Sequence, residues 1–247
     1  MPADLADQLR RANPRYVEDA RSLLYSLSDK AAILAATTAW FCSNQVAAWH
    51  GSRLTEAEIE AIKQGGLRPL RAEDRRSRIV EALSGHPRWE DVREQLDDQL
   101  DRLGRGIGVG RREGQVHLTI SRHELTRGFN HYLVEGSEFD GHVANILLGA
   151  EGRAEMAKRG RPVLFGFAIP GERAFEACNP FGWHEDDGPN PIRQILAAWS
   201  YRLAHPGWRS AEYGLDAGVV FHAHLEPELL VIVDFPDEAE LRRHYRS

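Results

Sequence analysis

The chain has 247 residues, a formal net charge of −6, and 42% hydrophobic against 28% charged residues. That is enough apolar material for a sizeable core, which excludes a disordered chain. The acidic balance also argues against a duplex-binding module, whose affinity comes from neutralising phosphates. Cys42 and Cys178 are the only cysteines, too few for a disulfide framework or a four-thiolate zinc site.

The N-terminal stretch Met1–Asp7 is acidic and lacks a charged-then-apolar leader pattern. The longest weakly polar run, Ala31 to Cys42, is too short to span a bilayer. The expected compartment is the cytoplasm, with export by a route that needs no cleaved signal as the alternative, and no membrane partner is expected.

Residues 3–40 read as helical, with Leu5, Leu9, Tyr16, Ala20, Leu23, Leu24 and Leu27 at helical spacing and a boundary at Asn13-Pro14. Residues 45–50 read as a short buried strand feeding a turn at Gly51-Ser52. Thr55 and Glu58 form a capping box for a helix that Gly65-Gly66 ends. Residues 72–103 read as two charged amphipathic helices split at Gly85-His86-Pro87. The basic run Arg68, Arg71, Arg75, Arg76 and Arg78 is interleaved with Glu73, Asp74 and Glu81, the pattern of a solvated helix face. The glycine-rich stretch Gly104–Gly110 follows a helix, so it reads as a linker rather than a phosphate loop.

Strands dominate later. Gln115–Ser121 alternates, and Phe129–Val134 is read as a strand end carrying His131 and Tyr132. Ser137 and Asp140 cap a helix whose apolar stripe is Val143, Ile146 and Leu147. Val163–Ile169 is a strongly apolar strand. Asn190-Pro191 opens a helix bearing Ile192, Ile195, Leu196, Trp199 and Leu203. Gly218–Leu225 and Leu229–Phe235 close the chain as strands. Early helices and late strands favour an α+β fold. The expected domains are an N-terminal helical layer, 1–44, and an α+β domain, 45–247, with a helical insertion at 72–103.

Three places could carry chemistry. His50 ends a strand and is followed by Gly51, which would let a ligand approach the main chain. A hydrogen-bonded structural histidine is the other reading. Glu226 and Glu228 open the aliphatic run Leu229–Val233, where a carboxylate is costly unless solvated or used. Tyr132 could stack on a flat ring near the helix start at Ser137, or serve the core.

In this order, His50-Gly51-Ser52, Tyr132 and Glu228 resemble the H-Y-E branch of the ADP-ribosyltransferase superfamily, which includes the diphtheria-toxin-like and poly(ADP-ribose)-polymerase-like domains. The resemblance implies a split, mixed sheet and NAD as substrate. It further implies that His50 bonds the adenosine ribose, that Gly51 and Ser52 belong to the NAD-binding segment, and that Tyr132 stacks on nicotinamide. Glu228 would bond the nicotinamide ribose and stabilise an oxocarbenium-like state as nicotinamide leaves. Glu226 would orient an acceptor, which could be a protein, a nucleic acid or a small molecule. The implied activity is mono-ADP-ribosyl transfer or NAD glycohydrolysis, of a toxin- or effector-like kind, with acceptor choice in loops 104–114, 171–190 and 205–217. Phe181–Asp187 is the candidate lid.

Two alternatives stand beside it. One is a non-catalytic binding module of related fold. The other is a cupin-like metal enzyme, if His222, His224, Glu226 and Glu228 share one strand face. The set His123, Glu124 and His131 has the wrong period for a zinc helix, and no Gly-x-Ser-x-Gly elbow is present. No resident metal is expected.

Overall fold

The computed structural model describes residues 4–104, 113–178, 190–209 and 217–245. The linker expected at Gly104–Gly110 and the lid expected at Phe181–Asp187 fall almost wholly, and wholly, outside them. The protein is α+β, with a five-stranded antiparallel sheet, where a mixed sheet was expected. No helix among the described residues is long and apolar enough to cross a membrane.

The chain forms two compact units. The first takes in Met1–Ala48, Leu118–Glu124 and Ala168–Val219, and the second takes in Trp49–His117, Leu125–Phe167 and Val220–Ser247. The helical layer thus includes late segments of the chain as well as its N-terminus.

In the first unit, α1 (Leu5–Ala12), α2 (Val17–Leu27) and α3 (Lys30–Cys42) are joined by α11 (Gly171–Glu176) and α12 (Asn190–Ala204). Asn13 adopts the left-handed conformation at φ 49° and ends α1, as expected for Asn-Pro. α12 lies along α1 and α2, burying Ile192 and Leu196 in the unit that holds Leu5, Leu9 and Leu24. Its end is tied back by the His205 ring, whose Nε2–H donates to the Pro14 carbonyl at 2.9 Å. The helix α11 corrects the expectation of a featureless loop from residue 171. Gly171 starts it because any side chain there would collide with the backbone of Phe41 and Asn44.

The five-stranded sheet has the strand order β4-β2-β1-β3-β5. These strands are β1 (Gln45–Leu54), β2 (Val116–Thr119), β3 (Arg161–Pro170), β4 (Gly218–Phe221) and β5 (Leu230–Asp234). β5 pairs antiparallel with β3 in the register Phe165↔Val233 and Leu164↔Asp234. β1 does not turn at Gly51-Ser52. It continues to Leu54, with Ala48 and residues 51–54 buried. Gly51 is small for a packing reason: a Cβ there would meet Leu133, Leu125 and Leu164 at 3.3–3.4 Å.

Thr55 and Glu58 form the expected capping box of α4 (Glu56–Gly65). The helical insertion comprises α5 (Ala72–Leu83), α6 (Trp89–Val92) and α7 (Leu96–Gly104). It packs on α10 (Glu138–Lys158), which Ser137 caps as expected. Ile79, Leu83, Leu96, Val143 and Leu147 form the core between them. The expected stripe residue Ile146 is instead exposed. Three short helices remain: α8 (Arg122–Arg127), α9 (His131–Val134) and α13 (Glu238–Tyr245).

Candidate functional site

β1 is the third strand of five, so each of its residues faces one side of the sheet or the other. Trp49, Gly51 and Arg53 share one face. Trp49 packs with Leu125, Leu133, Val134, Leu164 and Leu241, and Arg53 reaches the Leu133 carbonyl at 3.3 Å. His50 and Ser52 therefore point to the other face.

The Nδ1 of His50 lies 2.9 Å from the carbonyl oxygen of His117. A carbonyl only accepts, so Nδ1 carries the proton. Burial pushes the imidazole pKa below its ordinary 6.5, and the charges of Arg75 and Arg78 push in the same direction, while the bond to His117 opposes them. The ring is thus neutral near pH 7, and its Nε2 is an unprotonated acceptor. No hydrogen bond reaches that Nε2 among the described residues. Ser52, buried on the same face, is the neighbouring hydroxyl.

Tyr132 does not lie on a strand. It sits in the single turn of α9, where its backbone N–H reaches the Phe129 carbonyl at 3.4 Å. The Phe129–Val134 segment turns helical because Leu133 and Val134 bury their side chains while Asn130 anchors it from below, donating to the Leu241 carbonyl at 3.1 Å. Tyr132 stacks against His131 at 4.1 Å between ring centroids and packs on the cluster that holds Trp49. The structure therefore brings Tyr132 to Trp49 and separates it from His50 by the sheet.

Glu228 lies in the one-turn 3-10 helix Pro227–Leu229, immediately before β5. Both Glu226 and Glu228 are exposed. β5 is an edge strand with Val231 61% and Ile232 44% exposed, so the expected buried strand is corrected. Only β3 separates β1 from β5, which sets the strands carrying His50 and following Glu228 about 10 Å apart. His50 and Glu228 do not touch.

The cupin-like ladder is also corrected. His222 and Ala223 lie in a bend and Glu228 in a turn, so His222, His224, Glu226 and Glu228 do not share a strand face. His224 instead donates from Nε2 to the Gly65 carbonyl at 2.5 Å. Among the described residues, no three His, Cys, Asp or Glu side chains converge on a point where a metal could sit.

The sequence reading missed a set of charged residues in this unit. Glu58 caps α4 and also lies 3.0 Å from Arg78 and 2.6 Å from Arg159. Burial would raise its pKa, but the Arg159 hydrogen bond and the Arg78 charge more than offset this and leave it below the ordinary value. Asp140, 1% exposed, takes Arg75 Nε at 2.8 Å and has Arg78 Nε 3.7 Å away. Burial, reinforced by Arg75, lowers the Arg78 pKa to about 10. Arg78 also donates to the Arg53 carbonyl at 3.2 Å, which seats α5 on β1. The run read as a solvated face thus has two of its arginines, Arg75 and Arg78, turned inward. Their spacing of one helical turn was the available signal.

Compared with protein-family models, with curated proteins and with solved structures, the chain finds no match.

Proposed function

We propose that the protein binds NAD and cleaves its nicotinamide–ribose bond, passing ADP-ribose to an acceptor or to water. The observation that carries this reading is the state of His50: a neutral imidazole in the central strand, held through Nδ1 and presenting Nε2 as an acceptor. Such a group suits a ribose hydroxyl, which can donate to it, and it disfavours a partner that can only accept, such as a carboxylate.

Glu228 supplies the second half. Glu228, an exposed carboxylate at the entrance of β5, the second strand over from β1, would bond the other ribose of the dinucleotide and favour positive charge developing there. Ser52 shares the His50 face and contributes a hydroxyl. Glu226, two residues before Glu228, would orient an acceptor. Tyr132 has no part in this reading, because it lies across the sheet with Trp49.

That placement favours one second reading, a module that binds NAD without turning it over, since Tyr132, the residue read as the nicotinamide platform, does not lie on the His50 face. One experiment separates the two. Purified wild type is incubated with NAD, and free nicotinamide is followed by chromatography while binding is measured by calorimetry. Nicotinamide release that disappears in Glu228→Ala supports cleavage. Binding without release assigns the second reading, and neither binding nor release removes both.

A further inference from the structure

The Glu228 turn is held from outside the sheet by a glycine turn at the end of α4. Leu67 and Leu225 exchange two backbone hydrogen bonds, both 2.9 Å. His224 donates from Nε2 to the Gly65 carbonyl, and the Pro227–Leu229 turn packs against α4. On its other flank, Leu70 donates to the Gln115 carbonyl at 3.1 Å and accepts from Gly114 at 2.8 Å. Residues 66–70 therefore form a strap. It joins the entrance of β2, the strand whose His117 holds His50, to the turn that carries Glu228.

Gly66 is the pivot of the strap. Its φ is +72° with ψ −175°, a conformation that L side chains rarely adopt. A Cβ there would collide with the Leu225 carbonyl oxygen, stand 2.6 Å from His224 Nε2 and press on the Pro227 nitrogen at 3.0 Å. Any side chain must push residues 224–227 outward, and Glu228 follows one residue later. Glu228 itself has no hydrogen bond among the described residues, so only its backbone fixes its place.

We infer that Gly66 and His224 are positioning residues that hold the Glu228 carboxylate in register with the His50 side of the site. This inference rests on the NAD-cleavage reading above. Electrostatic stabilisation requires a fixed charge, so loosening the turn should cost turnover while leaving NAD binding by the His50 side in place.

The test compares wild type, Gly66→Ala, His224→Ala and His224→Gln, the last keeping a side-chain donor. Steady-state nicotinamide release, thermal unfolding and hydrogen exchange at the Leu225 and Leu229 amides are measured for each. The expected result is a kcat lowered by about tenfold or more in His224→Ala, with KM changed by less than about twofold. Exchange at Leu225 and Leu229 should be faster, and His224→Gln should recover much of the loss. Gly66→Ala should follow the same pattern. If it unfolds, the histidine pair carries the test. A folded His224→Ala with faster exchange and wild-type kcat overturns the positioning role while leaving NAD cleavage standing. A wild type that releases no nicotinamide overturns the cleavage reading and this inference with it.

Discussion

His50 Nδ1 donates to the carbonyl oxygen of His117 on the adjacent strand, 2.9 Å away, and the bond fixes both the tautomer and the orientation of the ring. Burial lowers the His50 pKa below 6.5, so on acidification the unfolded chain takes up this proton before the folded one does. The contribution of His50 to stability is therefore fully present above 6.5 and is lost as the pH falls through the folded value. Urea unfolding of wild type should show stability rising with pH across this window. In His50→Gln that part of the slope should be absent. Parallel profiles for the two proteins would count against a neutral buried ring.

Asp140 joins α10 to α5 through Arg75 and Arg78, at a position almost without solvent. Asp140→Asn removes the charge that both guanidinium groups face, leaving the partly buried Arg75 without its carboxylate and Arg78 with Glu58 alone. Because the arginines keep some exposure, the expected loss is about 2–3 kcal/mol, toward the lower end for a buried pair. Chemical denaturation measures it, and a loss within error of zero would contradict the arrangement.

Gly166 leaves room for the Trp49 indole against β3. A Cβ at that position would stand 2.9 Å from Trp49 Cζ3 and 3.2 Å from Ile232 Cβ. Gly166→Ala must displace either the indole or the edge strand, at a cost of about 1–3 kcal/mol. Trp49→Leu in the same background should restore part of the loss, since the smaller side chain vacates the contact. Additive losses in the double variant would argue against this packing.

Burial pushes the Cys178 thiol up to about 12, with the Cys42 thiolate adding to the effect. The thiolate is the reactive form, so alkylation of native Cys178 at pH 8 should be at least about a hundredfold slower than in the urea-unfolded chain. Mass spectrometry after timed iodoacetamide labelling reads this directly. Equal rates in the native and unfolded chains would refute the burial.

Local signals were the most legible part of the sequence. The Thr55–Glu58 capping box, the Ser137 cap, the glycine stop after α4 and the apolar run of β3 all appear where composition places them, because each depends on contacts a few residues apart. What failed depends on partners far along the chain. Gly51 reads as a turn residue until Leu133 and Leu164 are seen to need its missing side chain. Tyr132 reads as a strand aromatic because Leu133 and Val134 have strand propensity, yet Asn130 and its bond to Leu241, 111 residues later, hold the segment helical. The His222–Glu228 ladder has strand alternation, but among the described residues that stretch pairs only through the isolated bridge of Leu225 to Leu67. Arg75 and Arg78 look solvated until Asp140, 65 and 62 residues away, is brought to them. Of the candidate site, the sequence located His50 and Glu228 in one unit and left the face of the sheet undecided.

The central claim is that His50 and Glu228 act on one NAD molecule. The most direct measurement is nicotinamide release from NAD by wild type, His50→Ala and Glu228→Gln, all checked to be folded by circular dichroism. Release by wild type is expected, with KM raised mainly in His50→Ala and kcat lowered by about a hundredfold or more in Glu228→Gln. Wild-type turnover in a folded Glu228→Gln protein, or no release by the wild type at all, would contradict it.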